Sequence, residues 1–268
     1  MQTTIVIPAR YASTRLPGKP LIMVHGQTML QRVVHLSLAA AKGLKNVSVV
    51  VATDDELIAQ HCNEINVASV ITSQESTSGT ERVAEVIRQM TDKPDFIINM
   101  QGDAPLTLPN FLRTMIDAFA ASPCDVLTPV TQLTWKQLDE LRQNKYTTPF
   151  SGTTVVFNDQ TGNAFWFSKN IIPAMRKEEE LRQKSDKSPV FRHIGLYGML
   201  ERYITLPESK LEHLEGLEQL RILENGYTIR CIPVDYKNRA NMSGIDSLQD
   251  VARAEALLTQ YGDSIPCF

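Results

Sequence analysis

Three cations, Arg10, Arg15 and Lys19, fall within the stretch Pro8-Ala9-Arg10-Tyr11-Ala12-Ser13-Thr14-Arg15-Leu16-Pro17-Gly18-Lys19-Pro20. The stretch follows directly on Ile5-Val6-Ile7, an apolar run that reads as a first strand. A guanidinium forks onto phosphate oxygens and a lysine ammonium acts on them as a point charge, so a triphosphate or pyrophosphate is the natural partner. Pro17-Gly18 suits a type II turn, with glycine supplying the positive φ. The loop is neither Gly-x-Gly-x-x-Gly nor a Walker A sequence, which removes support for a dinucleotide dehydrogenase or a P-loop enzyme. By charge alone a solvated basic loop fits equally well. Its place at a strand's carboxyl end favours phosphate.

A second constellation, Asn99-Met100-Gln101-Gly102-Asp103, directly follows the run Phe96-Ile97-Ile98. An aspartate in such a turn is able to hold a hard cation such as Mg²⁺, although a plain turn aspartate is the commoner case. Asp246, in Ser243-Gly244-Ile245-Asp246, stands just before a helix opened by Ser247, where it would also complement the helix dipole. Two aspartates with three cations make the metal–phosphate arrangement of nucleotidyl transfer, in which Mg²⁺ bridges phosphate oxygens.

The elements that must position these residues alternate from the N-terminus. Val47–Val51 and Val67–Ile71 join the two runs above as short strands, apolar on both sides of the pleat. Between them, Leu30, Val33, Val34, Leu38 and Ala41, then Val83, Val86, Ile87 and Met90, recur at helical spacing. Thr53 with Glu56 and Ser78 with Glu81 read as capping boxes. The pattern predicts an α/β fold with a doubly wound, mostly parallel (Rossmann-like) sheet. Beyond about residue 130 it becomes irregular, with strand-like runs at Thr153–Phe157, Ala164–Phe167, His193–Leu200 and Tyr227–Val234, a helix near 212–224 and a last helix from about 248. One domain over 1–268 is expected, with about 1–130 and 206–268 as the core and about 131–205 as an insertion.

Of the 268 residues 43% are hydrophobic, and 27 basic against 30 acidic residues leave a net charge of -3, too balanced for a nucleic-acid wrapper or a polybasic membrane binder. No apolar run is long enough to span a membrane, and the N-terminus lacks the basic region of a secretory signal. Cys62, Cys124, Cys231 and Cys267 form no Cys-x-x-Cys pair. They suit unpaired thiols in the cytoplasm without structural zinc.

Val6–Leu21 resembles the signature of the sugar-acid cytidylyltransferases, in particular those acting on 3-deoxy-manno-octulosonate (Kdo). So do Ser78-Gly79-Thr80-Glu81-Arg82, Gln101-Gly102-Asp103, Arg192-His193-Ile194-Gly195-Leu196-Tyr197 and Leu217-Glu218-Gln219-Leu220-Arg221. The resemblance spans nearly the whole chain and implies a nucleotidyltransferase sheet with a smaller inserted sugar-binding and dimerisation subdomain. It implies that CTP lies with its triphosphate on Arg10, Arg15 and Lys19 and its base near Ala9, Ser78 and Arg82. Asp103 and Asp246 would hold Mg²⁺, with Arg10, Lys19 and Asp103 serving catalysis. A 3-deoxy-2-keto sugar acid would lie against Gln101, Lys169, His193, Tyr197, Glu218 and Gln219, and its anomeric hydroxyl would attack the α-phosphate to release pyrophosphate. It also implies a cytoplasmic homodimer serving lipopolysaccharide or related glycan synthesis, through the region around 160–205, where Phe165-Trp166-Phe167 is the apolar hint.

From spacing, Glu212, Glu215 and Gln219 gather on one side of the expected 212–224 helix, where enclosed carboxylates would need donors such as sugar hydroxyls. His193 and Tyr197, four apart on one expected strand, would share a face. Several positions depart from the family: Ala104 for glutamate, Thr72–Ser76 without the usual arginine and histidine, Thr154 for lysine, and Lys169 for arginine. Lysine does not reproduce a bidentate carboxylate clamp, which leaves Arg176 as the alternative. These departures point to a modified Kdo, such as an amino-Kdo, or another capsular or natural-product sugar acid. The remaining alternative is a non-catalytic nucleotide-binding relative, against which Asp103 and Asp246 both speak.

Overall fold

Thr3-Thr4-Ile5-Val6-Ile7-Pro8-Ala9 has almost no polar face to leave in water, and it forms strand β1 (Thr3–Ala9) with all but one residue buried. A computed structural model of the chain describes residues 1–12, 16–76, 78–237, 239, 242 and 244–263. These fall into two compact units: Met1–Pro123, Leu196–Thr205 and the described residues after Lys237 make the first, and Cys124–Gly195 with Leu206–Lys237 the second.

After β1 come β2 (Met23–Val24) and β3 (Gln27–Thr28), then α1 (Met29–Ala41), β4 (Val47–Thr53), α2 (Glu56–Glu64), β5 (Ala68–Ile71), α3 (Gly79–Gln89), β6 (Phe96–Asn99) and α4 (Pro109–Ala121). The chain enters the second unit with β7 (Val126–Thr134), α5 (Trp135–Lys145), β8 (Thr154–Phe157), β9 (Ala164–Ser168), α6 (Glu178–Lys184) and β10 (Lys187–His193). It returns to the first for β11 (Tyr197–Met199) and α7 (Glu201–Ile204). The second then takes α8 (Lys210–Glu215), α9 (Leu220–Glu224) and β12 (Ile229–Pro233), and α10 (Leu248–Tyr261) ends in the first.

In the first unit β5, β4, β1 and β6 pair in parallel in that order, and β11 adds antiparallel to β6. Gly198 permits that last pairing, because a Cβ there would run into the Phe96 ring. Chain order runs outward from β1 to β5 and then resumes with β6 on the other side of β1. The strand order therefore reverses between β1 and β6, and the crevice beyond the carboxyl ends of such strands is where doubly wound sheets take ligands. In the second unit β7 pairs in parallel with β12 on one side and antiparallel with β10 on the other, followed by β8 and β9. Leu133, Trp135, Leu138, Leu141 and Val190 form its buried cluster.

Three local expectations need correction. The cap of α2 is Asp55, whose carboxylate accepts from Leu57 N at 2.9 Å and Ile58 N at 3.2 Å, while the Thr53 hydroxyl accepts only from Asp55 N. A carboxylate offers a stronger acceptor than threonine to the first-turn amides. By contrast, the Ser78–Glu81 capping box is formed. The expected 212–224 helix is two helices, α8 and α9, because Gly216 takes the left-handed conformation (φ +62) and ends α8. The expected strand His193–Leu200 is also two, with β10 ending at His193 and β11 starting at Tyr197. His193 and Tyr197 accordingly pair with different neighbours and do not share a strand face. Residues 206–237 fall in the second unit, where β12 pairs with β7.

Candidate active site

The cationic loop leaves β1 at Ala9, which is buried, and passes to Arg10, which is exposed. Gly18 N donates to Tyr11 O at 3.1 Å and closes the loop, while Lys19 N donates to Leu16 O at 3.1 Å. Gly18 has φ +66 in that turn, as the third position of a type II turn requires. Lys19 then opens a single 3-10 turn, Lys19–Leu21. Arg15 lies outside the described residues.

The turn after β6 is brought against β1 by Gly102: any Cβ there would collide with the Pro8 carbonyl oxygen. Asp103 is gripped from the other side. Ile245 N donates to Asp103 O at 2.8 Å, and a Cβ on Gly244 would sit 2.8 Å from Asp103 Oδ1. Two glycines thus let three backbone segments converge. The result is that Lys19 Nζ donates to Asp103 Oδ2 at 2.7 Å and to Asp246 Oδ1 at 2.8 Å. The lysine side chain is 13% exposed and the carboxylates 34% and 40%, so the triad is partly sheltered and open to a ligand. Two carboxylates converging on one point are a hard-oxygen donor set of the kind a divalent cation takes. The lysine already stands as a cation on both.

Ser78 caps α3, accepting from Glu81 N at 3.1 Å, and a Cβ on Gly79 would lie 3.2 Å from Pro8 Cγ, so α3 starts against the end of β1. Arg82 is buried, and its guanidinium is occupied: it donates to Thr72 Oγ1 (2.9 Å), Ser73 O (3.1 Å), Ser76 O (3.3 Å) and Asp54 Oδ2 (2.7 Å). Glu85, one turn further along α3, accepts from Ser73 N at 2.7 Å and from the Ser76 hydroxyl. Burial raises the Glu85 pKa, but these two donors and the nearby arginines outweigh it and hold it below the ordinary value. Arg82 and Glu85 together fix the Thr72–Ser76 loop. Gln101 follows β6, where Tyr197 stands opposite Asn99 in the β11 register. Asn99 donates to Thr80 Oγ1 at 3.1 Å while its buried Oδ1 has no partner among the described residues.

In the second unit His193 Nε2 shares a 2.9 Å hydrogen bond with Thr128 Oγ1, and its ring meets Phe167 edge to face at 5.2 Å. Burial, then the positive charges of Lys169 and Arg192, push its imidazole down to about 3, which keeps it neutral. The Lys169 amide donates to Glu215 Oε2 at 2.9 Å, and its carbonyl accepts from Lys145 Nζ at 2.5 Å. Gln219 is buried, and its Nε2 has no partner among the described residues. Glu218, beside it, is half-buried. The enclosed carboxylates inferred from the 212–224 pattern have protein donors. Glu212 is paired with the Arg221 guanidinium (Nε to Oε2, 2.8 Å), and Glu215 accepts from Ser168 Oγ at 2.9 Å. Arg176, the alternative fork, is exposed.

Asp54, Glu85, Lys145 and the orphaned Asn99 acceptor escaped sequence reasoning. Lys145 reads from sequence as a dipole-complementing charge in a last helical turn, and nothing in its neighbours signals the carbonyls it meets.

A family model described as cytidylyltransferase matches residues 4–229. A 3-deoxy-manno-octulosonate cytidylyltransferase of Maricaulis maris is 39% identical, over 99% of this chain and 100% of the relative. One of Vibrio parahaemolyticus is 35% identical, over 97% and 99%. A solved structure described as CMP:2-keto-3-deoxy-manno-octonic acid synthetase complexed with CTP superposes with a TM-score of 0.81 at 32% identity, covering 97% of this chain and 99% of its own. A cytidylyltransferase from Leptospira borgpetersenii, at 15% identity and a TM-score of 0.60, shares the fold. The sheet with its order reversing between β1 and β6 is therefore a nucleotidyltransferase fold, and the chain belongs to the cytidylyltransferase family.

Proposed function

We propose that the protein transfers CMP from CTP to the anomeric hydroxyl of a 3-deoxy-2-keto sugar acid, Kdo in the first instance. The hydroxyl oxygen forms a bond to the α-phosphorus, the bond from that phosphorus to the bridging oxygen breaks, pyrophosphate leaves, and the hydroxyl proton passes to solvent. The observation that carries this is the Lys19–Asp103–Asp246 triad at the strand-order reversal, with Lys19 Nζ 2.7 and 2.8 Å from the two carboxylates. Arg10 and Lys19 bind the triphosphate, with Arg15 from the same loop. Ala9, Ser78 and the Thr72–Ser76 loop flank the base, and Arg82 acts there by holding the loop. Asp103 and Asp246 are the residues that would hold Mg²⁺, and bound there the ion supplies charge neutralisation at the phosphates. No covalent enzyme intermediate is needed, since positioning and electrostatics suffice for such a displacement.

The sugar acid belongs to Gln101, Lys169, His193, Tyr197, Glu218 and Gln219. The unpartnered Gln219 amide supports this, since a buried donor without an acceptor suits a ligand oxygen. Lys169, a point charge where a fork is usual, favours as a second reading a sugar acid other than plain Kdo. A homodimer is proposed through edge strand β9, where Phe165 is 64% exposed, and sedimentation at micromolar concentration tests it. We place the activity in the cytoplasm, serving lipopolysaccharide or a related glycan; among the described residues no helix is long and apolar enough to cross a membrane.

A ³¹P spectrum of enzyme with Mg²⁺, CTP and Kdo is expected to show the phosphodiester of a CMP-sugar growing one for one with pyrophosphate. Nucleoside phosphates without a phosphodiester, or faster turnover of ATP, GTP or UTP, would overturn the assignment.

A further inference from the structure

Lys169 is held by its backbone from two sides by side chains of opposite charge. Glu215, the last residue of α8, accepts from the Lys169 amide through Oε2 at 2.9 Å and from the Ser168 hydroxyl through Oε1 at 2.9 Å. Lys145, the last residue of α5, donates to the Lys169 carbonyl at 2.5 Å. The same ammonium reaches the carbonyls of Ser151 (2.6 Å), Gly152 (3.1 Å) and Pro149 (3.2 Å), four acceptors for three protons. The next link is fixed too: Thr154 Oγ1 donates to Asn170 O at 2.7 Å and accepts from Ile172 N at 3.0 Å. Ser168 to Ile172 is therefore anchored by three side chains from three separate elements. Charge-assisted bonds of this kind are among the strongest that hold a main chain in place.

The side chain so presented is different. Lys169 Nζ has no hydrogen bond or ion pair among those of the described residues, although the residue is only partly exposed. Burial holds both the Lys169 and the Lys145 ammonium below the usual lysine value. The charges of Lys169 and Arg192 both bear on Lys145 and on the neutral His193, and Glu215 is the acidic neighbour of both lysines. A half-desolvated ammonium without a hydrogen-bonded counter-ion is costly until an anion arrives, which is what a receptor for a carboxylate needs.

We propose that Lys145 and Glu215 are positioning residues for the sugar acid, fixing the Lys169 backbone so that its unpartnered ammonium meets the ligand's carboxylate. This rests on the sugar-acid assignment above, and its test separates the two. Steady-state kinetics are measured for Lys169→Met, Lys145→Met and Glu215→Gln, with Lys145→Arg and Glu215→Asp as conservative partners. Lys169→Met is expected to raise the KM for Kdo about thirtyfold. Lys145→Met and Glu215→Gln are each expected to raise it about tenfold, with KM for CTP and kcat within about twofold, since each variant removes a charge-assisted bond. The conservative partners, which keep the charge and the fold, should recover half or more of that loss. A role in folding alone would instead lower the thermal midpoint and move both KM values together.

If Lys169→Met leaves the KM for Kdo unchanged, the sugar-acid assignment of Lys169 fails and the inference falls with it. If Lys169→Met raises that KM but neither Lys145→Met nor Glu215→Gln does, the assignment stands and the positioning role is overturned. Should the two neutral variants not fold, Lys145→Arg and Glu215→Asp decide. A KM for Kdo raised about threefold with KM for CTP unmoved supports the role, and unchanged values refute it.

Discussion

Lys19 and Lys169 are the two lysines we propose to meet an anion, and the molecule holds them in opposite ways. Lys19 is neutralised inside the first unit by two carboxylates at 2.7 and 2.8 Å, on a loop closed by a glycine turn. Lys169 is fixed through its backbone in the second unit and left without a partner for its ammonium. The difference follows from what each lysine is proposed to bind. A triphosphate that comes with a divalent cation requires acids beside the lysine, and those acids satisfy the lysine as well. A lone carboxylate brings no cation, so an acid in contact with the ammonium would only compete with it. Positive charge stays available where the ligand is the only counter-ion.

The contrast breaks most visibly at Asp103. Asp103→Asn should lower kcat on the order of 10³-fold while part of the CTP affinity remains, as losses of electrostatic stabilisation at a reacting phosphate do. Equilibrium binding of CTP alongside turnover checks this, and unchanged turnover would remove Asp103 from the metal site. Gly102→Ala should cost about 2 kcal/mol of stability, because its Cβ has to displace the Pro8 carbonyl, and activity should fall with it. Chemical denaturation measures the loss.

The second unit predicts pH effects. Lys169 is charged only below its pKa, which burial lowers against the pull of Glu215. The KM for Kdo should therefore rise at a pH below the value of about 10.4 at which an ordinary lysine titrates, with Glu215, Lys145 and His193 as the titratable groups coupled to it. The Lys169→Arg variant should lose that limb. His193 is held neutral down to about 3, so the unfolded chain binds a proton there before the folded one does. Its contribution to stability is complete above about pH 6.5 and is lost as the pH falls towards 3. Thermal midpoints across that interval should fall less steeply for His193→Gln than for the wild type. The smallest effect belongs to Glu178, whose hydrogen bonds from Arg142 and then Arg182 hold it down to about 2. That network is partly exposed and screened by solvent, so Glu178→Gln should cost about 1 kcal/mol or less in the same denaturation experiment.

The parts legible in the sequence were those in which one short segment carries both the structure and the chemistry. The run into Arg10, the Pro17-Gly18 turn before Lys19 and the Gln101-Gly102-Asp103 turn each announce a strand end followed by functional residues. The capping box at Ser78 is equally local. What stayed hidden depends on partners distant along the chain. The pairing of Asp103 with Asp246 is legible as a constellation, but the close approach of Gly244 to the Asp103 carboxylate that permits it shows only in the fold. Glu215 and Lys145 meet at Lys169 across separations of 46 and 24 residues. The helix expected at 212–224 divides for a local reason: Gly216 takes the left-handed conformation, and leucines stepping by three continue the helical pattern across it.

The most direct measurement is the initial rate of pyrophosphate release from CTP and Mg²⁺, with and without Kdo. Release that depends on the sugar acid and saturates with it is the expected result. Equal release in its absence, or none with Kdo or any other 3-deoxy-2-keto sugar acid, would contradict the proposed cytidylyl transfer.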